Sequence, residues 1–201
     1  MSPWPFQKSP DWNEVTYWSL DLETSGLSSS DQILSAGMVP IRNGAIAYGE
    51  RYYSLVRPTR PEALSAEGIR AHHILPSELD KAPSLDSVLE EIRSRIVGSV
   101  LLLHCSPVDL GFLQRGFRAL GRPWAKPRVV DTVVLLARLN DRRRQLEPHT
   151  KPFPTNLAAA RAAFGLPGHL EHHALWDALA TAELFLVLRD QLKARTLRQL
   201  T

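Results

Sequence analysis

Tyr17-Trp18-Ser19-Leu20-Asp21-Leu22-Glu23-Thr24-Ser25-Gly26 is the stretch from which the fold can be read. Its first six residues alternate and are rich in aromatics, the pattern of a strand in a packed sheet. Thr24-Ser25-Gly26 then breaks it. In a strand, residues i and i+2 point to the same side. Asp21 and Glu23 therefore face one space, beside a strongly apolar strand. Such a pair repels and raises the free energy of the fold unless a cation sits between the two groups. Hard divalent cations prefer carboxylate and water oxygens, so the pair is a candidate metal site. Exposed acids at a strand end are the alternative.

Working outward, Ile33 to Ile41 reads as a second strand, and Asn43-Gly44 as a tight hairpin turn. Arg51 to Val56 reads as a third strand, which makes an antiparallel meander. Two short helical pieces follow, around Ser65–Ala71 and from Pro76. Apolar residues at 85, 88, 89, 92 and 96 then mark an amphipathic helix. The continuous run Val100–His104 reads as a buried strand. Asp109–Leu120 reads as a helix, Val129–Asp131 as a short strand, and Thr132–Leu139 as the helix after it. Asp141 to Pro154 reads as a polar, Arg- and Pro-rich loop. Asn156 caps a helix over Leu157–Phe164 that Gly165 stops, and Ala174–Leu192 is the longest helix. A meander followed by alternating strands and helices predicts an α/β domain with a mixed, five-stranded sheet flanked by helices. The expected organisation is an irregular N-terminal arm over residues 1–16 and one domain over 17–201.

At 201 residues, with 44% hydrophobic and 22% charged positions, the chain can bury a full core and is not a disordered polymer. Its single cysteine, Cys105, excludes an internal disulfide and a multi-cysteine zinc site. No apolar run reaches the roughly 18 residues of a membrane span. The N-terminus lacks a charged segment followed by an apolar one, so the expected location is cytoplasmic. Net charge is +3, unevenly placed. Residues 111–151 hold ten Lys/Arg against three acids, while the remainder carries an acidic surplus of four. That asymmetry suits a polyanionic partner, and equally a solvated helix face.

Two more acids stand where chemistry could use them. Asp109 follows the apolar strand by five residues, and a helix-capping Asp would look the same. Asp177 lies in the Ala/Leu-rich stretch Ala174–Ala180, among small residues that let a helix pack closely on a sheet. His172 lies five residues before it, at the helix entrance.

Three blocks now stand in order: Asp21-Leu22-Glu23-Thr24-Ser25-Gly26-Leu27, His104-Cys105-Ser106-Pro107-Val108-Asp109-Leu110-Gly111-Phe112-Leu113, and His172-His173-Ala174-Leu175-Trp176-Asp177-Ala178. In order and spacing the sequence resembles the DEDDh 3′–5′ exonucleases, from about Tyr17 to Leu188. The resemblance implies a ribonuclease H-like fold. It also implies that Asp21, Glu23, Asp109 and Asp177 hold two Mg²⁺ or Mn²⁺ ions and that His172 is the general base. Histidine has the right intrinsic pKa for that proton. Two ions can lower the pKa of a bound water and neutralise a pentacoordinate phosphate.

The expected substrate is a 3′ end of single-stranded or frayed DNA, shortened by nucleoside monophosphates. RNA trimming with the same site is the alternative, and a non-catalytic nucleic-acid-binding module on the same fold is another. The resemblance further implies substrate contacts by the Thr24 backbone, a wedging Leu27, and His104 and Val108 in the second block. Arg115 and Arg118 suit phosphate contacts. The family has Asn and an aromatic where Cys105 and Val108 stand, so base stacking departs from the pattern. Arg142-Arg143-Arg144 is placed to overhang a strand-binding groove or to be a solubilising loop. A polymerase or a second copy as partner is not decided by these residues, and no membrane partner is expected.

Overall fold

The computed structural model describes residues 9–60 and 72–201, so the helical piece read at Ser65–Ala71 lies outside the described residues. Among the described residues, six strands form one mixed sheet: β1 (Tyr17–Thr24), β2 (Ile33–Arg42), β3 (Ala45–Ile46), β4 (Tyr52–Leu55), β5 (Val100–Leu103) and β6 (Arg128–Asp131). The order is β3-β2-β1-β5-β6, with β4 also paired to β2. β1 runs antiparallel to β2, and β2 to β3 and β4; β1–β5 and β5–β6 are parallel. The sixth strand corrects the expectation of five. Asn43 and Gly44 both take positive φ (52° and 76°), which folds the chain straight back onto β2. Two residues pair before a 3₁₀ turn at Tyr48–Glu50 leads into β4.

The helices are α1 (Pro76–Leu79), α2 (Leu85–Ile96), α3 (Ser106–Ala119), α4 (Thr132–Leu146), α5 (Leu157–Ala163) and α6 (Ala174–Leu192). No helix of the described residues is long and apolar enough to cross a membrane. Two differ from the sequence reading. α3 begins at Ser106, so Asp109 lies inside its first turn and does not cap it. The first amides, of Cys105 and Ser106, instead donate to the Asp131 carboxylate at 3.1 and 2.7 Å. α4 runs on to Leu146, so Arg142–Arg144 are helical. Arg and Gln are good helix formers, and Arg144 pairs with Asp141 one turn back.

Alternation along β1 divides the core. Trp18, Leu20 and Leu22 pack with α2 and α3 on one face of the sheet. Tyr17, Ser19, Asp21 and Glu23 share the other face, where α6 lies. The Tyr17 ring meets Phe185 at 4.9 Å, and Ser19 Oγ donates to the Ala178 carbonyl at 2.7 Å. From Tyr17 to Asp21 the strand advances about 13 Å. From Phe185 back to Asp177 the helix covers about 12 Å. An antiparallel α6 anchored at Tyr17 thus delivers Asp177 to Asp21.

Gly37, opposite Asp21 in the β1–β2 register, makes room for this approach. A Cβ there would lie 2.3 Å from the Leu175 nitrogen, inside the first turn of α6. Residues 9–16 also join the packing. Trp12 N donates to Arg195 O at 2.9 Å, Leu197 N donates to Pro10 O at 3.0 Å, and the Trp12 ring meets Phe185 edge-on.

Candidate active site

Asp21 and Glu23 stand near the C-terminal end of β1, and Asp177 stands in the first turn of α6. One carboxylate oxygen from each lies within 4.8 Å of the other two. They open into a cleft of about 370 Å³ that His104, His169, Glu171 and His172 also line. Asp109 is buried at the start of α3 and sits outside this triad, yet its charge is felt by Asp21 and Glu23.

Burial raises Asp21 well above the carboxylate range, and the charges of Asp109, Asp177 and Glu23 add to the effect. Burial, then Asp177 and Asp109, push Glu23 to about 8. Burial likewise lifts Asp109 to about 7, with the Leu22 and Asp109 backbone amides pulling the other way. Acids crowded without a countercharge retain protons near neutrality. The donor set is all hard oxygen, on two rigid elements, and fits Mg²⁺ or Mn²⁺ in character. A cation entering there must displace protons.

The loop before α6 is tied to Asp177. His169 Nε2 lies 2.8 Å from Asp177 Oδ1, and the His173 backbone N–H donates to Oδ2 at 3.1 Å. The His173 ring stacks on Tyr53 at 4.8 Å. Between them His172 is exposed, with a left-handed φ of 59°. Sequence reasoning passed over His169. The only signal for it is three histidines within five residues, of which the family spacing selects one.

The remaining expected contacts separate. Leu27 is 79% exposed on the loop after β1, and Val108 is 40% exposed beside Asp109. Thr24 Oγ1 donates to Gly26 O at 2.8 Å, fixing the turn after β1. The two ring nitrogens of His104 bond Thr132 Oγ1 at 2.7 Å and Thr155 O at 2.8 Å. Burial lowers its pKa, against Thr155, Asp131 and Asp177. Arg115 folds over the Phe112 ring at 4.2 Å and lines a separate cavity with Arg57 and Arg60. Arg118 lines another with Arg122 and Lys126. Neither arginine lines the acidic cleft.

Arg142 donates to Leu192 O, at the end of α6 remote from Asp177, about 22 Å along the helix. Arg143 lies over the Phe153 ring. Burial, then Asp131 and Asp109, raise the Cys105 thiol, the opposite of what a thiolate nucleophile requires.

A family model for exonucleases, RNase T, matches residues 19–185. A DNA polymerase III subunit epsilon-like protein of Rhodobacter capsulatus is 34% identical over 187 residues, 92% of this chain and 25% of the relative. A PolC-type DNA polymerase III of Staphylococcus haemolyticus is 29% identical over 184 residues, 91% of this chain and 12% of the relative. The chain thus spans a quarter or less of the length of these curated relatives. Exonuclease X in complex with 5′ overhanging duplex DNA superposes with a TM-score of 0.67 at 23% identity, covering 92% of this chain and 96% of that one. E. coli exonuclease I in complex with a dT13 oligonucleotide gives 0.73 at 16% identity, covering 89% and 42%. At these identities the structural likeness establishes the fold.

Proposed function

The chain belongs to the RNase T family of exonucleases, and from that premise we propose that it shortens nucleic acids from the 3′ end in a divalent-metal-dependent reaction. The observation that carries the reading is the convergence of Asp21, Glu23 and Asp177 within 4.8 Å in one cleft. Such mutual repulsion is a cost with no benefit to a module that only binds.

Asp21, Glu23 and Asp177 hold the ions in this reading, and Asp109 completes the negative field. Two Mg²⁺ or Mn²⁺ ions, when bound, supply Lewis-acid activation of water and neutralise charge on the phosphoryl group. His172, exposed on the loop at the cleft, takes a proton from the attacking water on an imidazole nitrogen. The oxygen so freed attacks phosphorus of the terminal phosphodiester. The bond to the penultimate 3′ oxygen breaks, that oxygen gains a proton, and a nucleoside 5′-monophosphate leaves.

Leu27 wedges against the terminal base, and the Thr24 backbone meets the 3′-hydroxyl. Val108 lies along the strand. His104, with its nitrogens committed to Thr132 and Thr155, supports the cleft wall and meets substrate only through its ring edge. Arg115 and Arg118 act on phosphates further along the strand, outside the cleft. The preferred substrate in this reading is a single-stranded or frayed DNA end.

The test is a time course on 5′-labelled single-stranded DNA and RNA of matched sequence, with Mg²⁺, Mn²⁺ or EDTA. Ladders shortening from the 3′ end, abolished by EDTA and reduced at least 100-fold by His172→Ala, are expected, following the scale of general-base loss. The faster ladder assigns the sugar. Strand binding without shortening under either metal would leave a binding module in place of an enzyme.

A further inference from the structure

Asp177 is pinned at both oxygens by the loop that carries His172. His169, eight residues earlier in the chain, lies 2.8 Å from Oδ1, and the backbone N–H of His173, four residues earlier, reaches Oδ2. We propose that His169 is a positioning residue, which aims the Asp177 carboxylate into the acidic cluster and ties it to the loop bearing His172. The inference rests on the reading of Asp177 as a metal ligand.

Three observations support it. The His169 side chain is only 8% exposed and Asp177 only 12%, so their contact forms in a poorly solvated place where a hydrogen bond is strong. A carboxylate that holds a cation has no proton to give, so in the metal-bound site Nε2 must carry the hydrogen and Asp177 must accept it. Each carboxylate oxygen offers about two lone-pair directions. One donor per oxygen fixes the group and leaves a direction on each for a cation.

The ring also forms a wall. It borders the acidic cleft on one side and, on the other, a groove lined by Pro167, Leu170, Trp176 and Leu179. Without the donor, Asp177 is held only by the His173 amide and regains rotameric freedom that metal binding must remove. Groups that orient metal ligands in this way change metal affinity by about 10–100-fold when lost.

Bulk and donor can be separated. His169→Phe keeps a ring but has no donor, whereas His169→Gln loses bulk but can bring its amide N–H to the place of Nε2. The affinity for Mn²⁺ alone is read from the free-ion signal in electron paramagnetic resonance, with no substrate present. Positioning predicts that Phe weakens Mn²⁺ binding at least tenfold and that Gln restores it to within about threefold, within the usual range of such groups. Packing predicts the reverse order. His169→Leu, smaller and also without a donor, repeats the comparison if Phe is not accommodated.

Equal affinities, or Gln weaker than Phe, overturn the proposal. Unchanged Mn²⁺ binding with turnover lost in both variants also overturns it. A wild-type chain that binds no Mn²⁺ overturns the metal reading and this one together. Mn²⁺ binding with the packing order overturns this one alone.

Discussion

Asp21, Glu23 and Asp109 are carboxyls whose protonation the fold has displaced upward. Glu23 is held at about 8 and Asp109 at about 7, and Asp21 lies well above its usual range, all chiefly through burial. In the unfolded chain these groups titrate near 4. Between pH 4 and 8 the metal-free folded state therefore binds more protons than the unfolded one, so its stability falls as pH rises. The decline is complete once pH passes the folded values. Thermal unfolding in EDTA across pH 5 to 9 should show melting temperature declining to a plateau. Saturating Mn²⁺ should reverse the decline above pH 7. Asp21→Asn removes a carboxyl whose ionisation the fold opposes and should raise the melting temperature in EDTA at pH 8 by a few degrees, about the shift expected from 1 kcal/mol. The same variant should lose turnover by at least 100-fold, as expected when a group that holds the reaction's charge is removed. A variant that is active, or one that melts lower in EDTA, would contradict this account of the cluster.

The elements that place these residues are legible in the sequence to different degrees. Alternation in β1 is a local signal, and it alone puts Asp21 and Glu23 on one face. The capping Asn156, the stop at Gly165 and the small residues of α6 are equally local. Other features depend on partners distant in sequence. Asp131 receives the first amides of α3 across the sheet, so nothing near Ser106 marks the start of that helix. The extension of α4 through Arg142–Arg144 is hidden because a basic run resembles a solvated loop. Gly37 is the most consequential of these silent positions. Nothing in Ser35-Ala36-Gly37-Met38 marks the spot, yet the first turn of α6 crosses β2 there. A Cβ on Gly37 would lie 2.3 Å from backbone atoms of Ala174 and Leu175, and backbone cannot rotate aside. Gly37→Ala should therefore lift the N-terminal end of α6 and cost about 2–3 kcal/mol in urea unfolding, the upper part of the usual overpacking range. It should also weaken Mn²⁺ binding, because Asp177 rides on that turn. Lost stability with unchanged Mn²⁺ affinity would show that α6 tilts without moving Asp177.

Over the whole molecule, α6 transmits the position of the core to the cleft. Its middle is fixed by Phe185 against Tyr17 and Trp12, and its first turn carries Asp177. The residues read as an irregular arm are thus partly framework. Their composition of Pro, Trp and polar residues lacks any period, and the pairing of Asp11 with Thr196 spans nearly the entire chain, so no local pattern could announce it. Trp12 is the anchor of this closure. Its amide donates to Arg195 O at 2.9 Å, its ring edge meets Phe185 at 6.4 Å, and the Arg189 guanidinium lies over its face at 4.3 Å. Trp12→Ala keeps the amide bond to Arg195 but removes the ring from Phe185 and Arg189, which stay where they are. The expected loss is about 2–4 kcal/mol, below or at the lower end of the fully buried Trp→Ala range because the ring is only partly buried. The cleft is a different matter, since Phe185 lies about 12 Å along α6 from Asp177 and Tyr17 still holds it from the sheet. At a temperature where the variant remains folded, its Mn²⁺ affinity and turnover should match the parent within about twofold, as expected for sites this far apart without shared partners. Urea unfolding beside a Mn²⁺ titration reads both quantities. A matching fall in metal affinity would mean that α6 depends on the N-terminal residues for its register as well as for its stability.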